Sequence, residues 1–368
     1  MPVELTIRPR ADKNQLARLK QFAEEFDATL EKRAIPTEKQ WLALGTNLWA
    51  ALTAELDDGL QTLLDAREQA IARQTFVQLN LRTPDKALQN LPWEMVFHGD
   101  ERLGFLARNP YFSIVRRLAK PDSATTDLPA APLRILLFIA SPEDLHPEKA
   151  RLDFENEENH LFEQLDEAIS RGDAVVDVAE DGTLPTLKSW LQRHSYHVVH
   201  FSMHGQLSDG GPVLSFEHER TGLHQPVTPE QLQQALHAAV QPPPCVMLSA
   251  CQTALTDTSA AIPSFAQQLS ASATPSVIGM RRSVADTAAT HFAGALYKNM
   301  AAGFALDRAM AEARRALPNE ATLQWSIPVL YARRPRTSWH DPDKPKTEVS
   351  RSRREDVQIG DLLVKRDG

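Results

Sequence analysis

Tyr196-His197-Val198-Val199-His200-Phe201-Ser202-Met203-His204-Gly205 and Cys245-Val246-Met247-Leu248-Ser249-Ala250-Cys251-Gln252-Thr253-Ala254 each read as an apolar strand that ends on a reactive residue. Short apolar runs of this length suit strands covered on both faces. In open α/β sheets, binding crevices form outside the carboxyl ends of the strands. Consecutive strands are often neighbours, and neighbours lie about 4.8 Å apart. If these two are adjacent, His204 and Cys251 meet at one sheet edge.

Working outward, the flanking sequence alternates strand and helix. Residues 133–140 form a run that is apolar but for Arg134, and a helix carrying Phe154, Leu161, Phe162 and Leu165 follows. A short strand at 174–178 precedes a helix opened by Pro185, where proline's missing N–H costs little. Helices are expected at 229–239, 262–270, 286–302 and 306–317, with strands at 276–280 and 327–331. This βαβα order predicts a doubly wound, mostly parallel sheet with helices on both faces.

The first half is richer in helix. Residues 2–8 alternate like a strand. Leu16, Leu19, Phe22, Phe26 and Leu30 have helical spacing, and so do Trp41, Leu44, Leu48, Leu52 and Leu56 after Pro36. Residues 76–81 read as a strand, and apolar runs follow at 103–107 and 112–118. A polar, proline-flanked break at 120–132 divides the two halves. The expected organisation is a helical and strand segment over 1–74, an amino-terminal part of the main domain over 75–130, and a core over 131–335. A mobile polar tail is expected over 336–368.

Composition narrows the classes of function. The chain has 368 residues, is 42% hydrophobic and 24% charged, and carries a formal net charge of −8. Those are values of a soluble globular protein, and the charge argues against binding nucleic acid by phosphate neutralisation. Residues 1–13 lack the apolar run of a secretory signal, and no run reaches the ~20 residues that span a bilayer. A cytoplasmic location, with no membrane and no direct nucleic-acid partner, is the expectation. Cys245 and Cys251 are the two cysteines. At opposite ends of one strand they are about 20 Å apart, too far for a disulfide. Without a Cys/His cluster, no structural zinc site, metal or other cofactor is expected.

A cysteine beside a histidine is chemically suggestive. The thiolate is the attacking species, and an imidazole can take its proton and later return it to a leaving amine. A glycine at 205 permits close backbone approach to a substrate, and the N–H groups of Gly205 and Cys251 suit an oxyanion hole. Other readings fare worse. His200 and His204 are spaced like the histidines of HExxH, but on a strand they stand about 13 Å apart. Neither Ser202 nor Ser249 sits in a G-x-S-x-G elbow, and no phosphate-binding glycine motif occurs.

His200-Phe201-Ser202-Met203-His204-Gly205 and Leu248-Ser249-Ala250-Cys251-Gln252-Thr253-Ala254 resemble the paired signatures of CHAT domains, relatives of the caspases, metacaspases, gingipains and separases. Leu91-Pro92-Trp93-Glu94 and the segments 112–117, 132–141, 275–281 and 286–317 extend the resemblance over roughly 75–335. It implies a caspase-like fold and a metal-free cysteine endopeptidase with Cys251 as nucleophile and His204 as base. It further implies a protein substrate, a separate sensor or activator protein, and a role in bacterial signalling, defence or programmed cell death. One departure is Met203, where the family often has a small residue. A bulky side chain there would narrow the cleft or bias specificity. Asp209 and Asp257 would select Lys or Arg if they line the substrate pocket, and are otherwise solvated loop carboxylates. Arg281 or Arg282 would favour acidic substrates, and are otherwise a surface pair. The rival reading is a non-catalytic scaffold that binds a regulator.

Overall fold

The computed structural model describes residues 1–118, 128–145, 154–179, 181–249, 261–272, 274–282, 286–317, 322–333, 338–341 and 343–347. The first half contains β1 (Val3–Ile7), α1 (Lys13–Glu31), α2 (Glu38–Leu52), α3 (Gly59–Ala72), β2 (Val77–Leu81), α4 (Lys86–Gln89), β3 (Phe97–His98), β4 (Gly104–Phe105) and β5 (Phe112–Arg116). The second half begins with β6 (Leu133–Ile139), α5 (Phe154–Ser170), β7 (Ala174–Ala179), α6 (Leu184–Arg193) and β8 (Val198–Ser202). Next come β9 (Gly205–Ser208), β10 (Gly211–Glu217), β11 (His224–Val227), α7 (Pro229–His237) and β12 (Cys245–Ser249). The order closes with α8 (Ala261–Ser272), β13 (Ser276–Met280), α9 (Asp286–Ala301), α10 (Leu306–Ala316) and β14 (Pro328–Ala332).

The local chemistry of the helix starts is conventional. Asp12, Thr37 and Thr228 each cap a helix, and Gln15, Gln40 and Gln231 three residues on close the reciprocal capping box. Pro185 and Pro229 sit in the first turns of α6 and α7, where no N–H is needed.

The central sheet has nine strands in the order β1-β2-β5-β14-β13-β12-β8-β6-β7. Every neighbouring pair is parallel except β13 with β14. The mixed α/β, mostly parallel architecture is therefore as expected. The break at 120–132 separates two halves of one sheet, and the final strand β14 joins them. Only Tyr331↔Arg116 is in register between β14 and β5. Side chains reinforce that seam. Arg117 donates to the Ala332 carbonyl at 3.0 Å and to Asn80 Oδ1 at 2.7 Å, while Asp307 accepts from Gln78 and Ser113.

Both faces of the sheet are covered, and strand alternation sorts the side chains between them. Leu133, Ile135, Leu137, Cys245 and Met247 join the cluster containing Leu165 of α5, Phe292 of α9 and Met310 of α10. Leu136, Phe138, Val246 and Leu248 join the opposite cluster with Leu187 of α6, Leu232 of α7 and Phe265 of α8. The first cluster also holds Ile7, Leu19 and Leu48, so the first 74 residues share the main core. A Cβ on Gly294 of α9 would lie 2.6 Å from Gln164 Cγ of α5; glycine allows these two helices to meet closely.

Two features depart from the expectations. After β8 the chain forms a three-stranded antiparallel sheet, β11-β10-β9, that the sequence reading passed over. The tail expected to be mobile from 336 is docked over its described part. Trp339 is buried and its indole donates to the Phe304 carbonyl, while the backbone N–H groups of Asp341 and Thr347 donate to the carbonyls of Pro129 and Ala131.

Candidate active site

The strands β8 and β12 are direct parallel neighbours, in register from Cys245↔Val198 to Ser249↔Ser202. His204 lies two residues beyond Ser202, and Cys251 lies two beyond Ser249 in sequence. The two strand ends thus point to the same edge of the sheet at the same offset. Cys251 and Asp257 themselves lie outside the described residues.

His204 is half-buried where the chain leaves the sheet, and its carbonyl accepts the Ser215 N–H at 2.9 Å. Gly205 is buried and begins β9, paired with Leu214. The small antiparallel sheet therefore fixes the backbone at and just after His204, through hydrogen bonds worth about 1 kcal/mol each.

Met203 is placed in the core. Its side chain is fully buried in the cluster with Leu214, Phe216 and Phe265, on the face opposite that of Ser202, as strand alternation requires. Asp209 is exposed at the β9–β10 turn, where Gly211 pairs with Ser208. Five residues of extended chain place it about 16 Å from His204. Arg281 and Arg282 are also spoken for. Arg281 Nη1 donates to Asp27 Oδ2 at 2.7 Å with both side chains 5% exposed, and Arg282 reaches Asp27 and Glu31. Neither is a bare cation awaiting an acidic substrate.

A group that the sequence reading missed sits directly beneath the strand ends. Glu157, in the first turn of α5, is largely buried and accepts a hydrogen bond from Ser202 Oγ. Its other oxygen lies 3.4 Å from Ser249 Oγ and 3.4 Å from His200 Nε2. His200 is completely buried, and burial pushes its pKa down to about 3, so it is neutral at neutral pH. Tyr297 stacks edge-on against His200 and donates to Met247 Sδ at 3.2 Å. The clue available in the sequence was the matched offset: a serine stands two residues before each reactive residue. Among the described residues, no group of three or more His, Cys, Asp or Glu side chains could hold a metal ion.

A protein-family model described as the CHAT domain matches residues 42–344. The chain belongs to the CHAT domain family. The CHAT match starts inside α2 and runs past Trp339, so it reaches further toward the amino terminus than the motifs quoted above. The part of the chain before residue 42, with β1 and α1, lies outside it. Among solved structures, the chain is similar to separase in the Saccharomyces cerevisiae separase–securin complex, at 14% identity and a TM-score of 0.40. That likeness covers 88% of this chain and 23% of the separase chain. It is also similar to the Arg-specific cysteine proteinase gingipain R, at 10% identity and a TM-score of 0.43, covering 92% of this chain and 78% of the other. A complex of the RgpB pro- and mature domains of Porphyromonas gingivalis matches at 9% identity and a TM-score of 0.44, over 90% of this chain and 78% of that one. No curated protein sequence matches the chain. No helix among the described residues is long and apolar enough to cross a membrane.

Proposed function

We propose that this CHAT domain protein is a cytosolic cysteine endopeptidase that uses His204 and Cys251. The observation that supports the reading is the register of β8 and β12, whose ends at Ser202 and Ser249 lie side by side; in sequence, His204 and Cys251 each follow two residues later. His204 takes the thiol proton, and the sulfur attacks the scissile carbonyl. The S–C bond forms, the peptide C–N bond breaks, and the imidazolium returns its proton to the departing amine. Water then hydrolyses the thioester. The N–H groups of Gly205 and Cys251 would receive the oxyanion. The substrate is a protein partner, and a separate sensor or activator switches the enzyme on, in keeping with a bacterial signalling or defence role for the family.

A peptide-library digest read by mass spectrometry tests this, with wild type compared with Cys251→Ala and His204→Ala. Cleavage lost in both variants supports the pair. Cleavage that survives Cys251→Ala overturns it, and absence of cleavage even with every neighbouring gene product added favours the scaffold reading.

A further inference from the structure

Ser202 and Ser249 form the last registered rung between β8 and β12. Among the described residues, no ladder hydrogen bond beyond that rung sets the spacing of the two strand ends. A single carboxylate meets both serines at this point: Glu157 Oε2 accepts from Ser202 Oγ and Oε1 lies 3.4 Å from Ser249 Oγ. We propose that Glu157 is a positioning residue, a bridge that holds the ends of β8 and β12 at a fixed separation, two residues before His204 and Cys251 in sequence. The proposal rests on the reading of those two as the working pair.

Two observations support it. The first is cost. A buried carboxylate is expensive unless it is hydrogen-bonded, and the Glu157 side chain is 12% exposed in a core where an apolar residue would pack without that penalty. An apolar residue could not bond two serines on two strands. The second is leverage. His204 and Cys251 each follow a bridged serine by two residues in sequence, so the spacing of the two serines bears on the chain that carries the pair. A misplacement of about 1 Å costs on the order of 10²-fold in rate. The origin of Glu157 also suits the role: α5 packs closely against α9 at Gly294, so the carboxylate comes from a helix docked on its neighbour.

The test needs no known substrate. Iodoacetamide alkylation of Cys251 is timed by mass spectrometry at neutral pH in wild type, His204→Ala, Glu157→Ala, Glu157→Gln and the double variant Ser202→Ala/Ser249→Ala. A cooperative melting transition in each variant establishes that it is folded. Glutamine can still bond both serines, one through its carbonyl and one through its NH₂ group, so it keeps the bridge without the charge. The expected rates fall about tenfold in Glu157→Ala and in the double serine variant, and stay within about threefold of wild type in Glu157→Gln, for a change near the tenfold per 1.4 kcal/mol scale. A merely structural glutamate would not give this rescue. If His204→Ala leaves the wild-type rate unchanged, the reading of the pair fails and the proposal falls with it. If the rate depends on His204 but not on Glu157→Ala or the serine pair, the pair stands and the bridge alone is overturned. Glu157→Gln falling as far as Glu157→Ala overturns it too. Should Glu157→Ala not fold, the double serine variant decides the matter.

Discussion

Asp27 of α1 accepts hydrogen bonds from Arg281 Nη1 at 2.7 Å and from Arg282 Nε at 2.9 Å, which links a helix outside the CHAT match to the carboxyl end of β13. Since β13 pairs with β12, this contact lies two strands from β8 at the same end of the sheet. The amino-terminal helix thereby steadies the edge at which the candidate site is built.

That contact makes Asp27→Ala informative. Asp27 and Arg281 are both 5% exposed, and removal of the carboxylate leaves a buried guanidinium without its partner. Breaking such a pair costs about 3–5 kcal/mol. A urea titration should show a lower midpoint with an unchanged slope, and an unchanged midpoint would refute the assignment.

The two cysteines should differ in reactivity. Burial raises the Cys245 thiol far above its ordinary pKa, which leaves it protonated, and the residue is fully enclosed by the main core. Native protein treated with iodoacetamide at neutral pH should remain unmodified at Cys245, and urea-unfolded protein should be labelled there at the rate of a free thiol. Native labelling of Cys245 would contradict the burial.

Stability should fall on acidification through the histidines. Burial depresses both His197 and His200 to about 3, against an ordinary value near 6.5. Between those values the unfolded chain binds protons that the folded chain refuses, so unfolding becomes easier as pH drops from about 6.5 toward 3. Each histidine adds a slope of up to about 1.4 kcal/mol per pH unit in that window. Above about pH 7 neither contributes a slope. Urea midpoints at pH 7.5, 5.5 and 4.5 measure this, and His200→Phe should flatten the dependence.

Trp339 should govern the docked segment around it. Truncation of a buried tryptophan costs about 3–5 kcal/mol when the whole fold bears the loss, but a terminal segment can open locally instead. In Trp339→Ala, trypsin should cut after Lys346 sooner than in wild type while the global unfolding midpoint stays nearly constant. Equal cutting rates would show that other contacts, such as Lys346 with Asp173 at 2.7 Å, hold the segment alone.

Most of the second half of the fold was legible because its strands are buried on both faces. Runs such as 133–140 and 245–249 must then be almost wholly apolar, and proline and capping residues mark the helices between them. The β9–β11 sheet was missed although its Asp209-Gly210-Gly211 turn is a recognisable hairpin signal. Its strands are short, and few of their residues, such as Val213, Leu214, Phe216 and Val227, are buried and apolar.

By itself, the sequence determined the class of the fold, the two motifs that end on His204 and Cys251, and the family to which they point, because residue type and spacing along the chain carry that information locally. Tertiary structure alone decided that β14 turns antiparallel to β13 and joins the two halves of the sheet, since that pairing brings together segments more than 200 residues apart in sequence, Arg116 and Tyr331. It alone sent Met203 into the core, committed Arg281 and Arg282 to Asp27, and brought Glu157 beneath Ser202 and Ser249. Those outcomes depend on which side chains meet across elements, and strand register and helix packing set such meetings only once the whole chain has closed on its core.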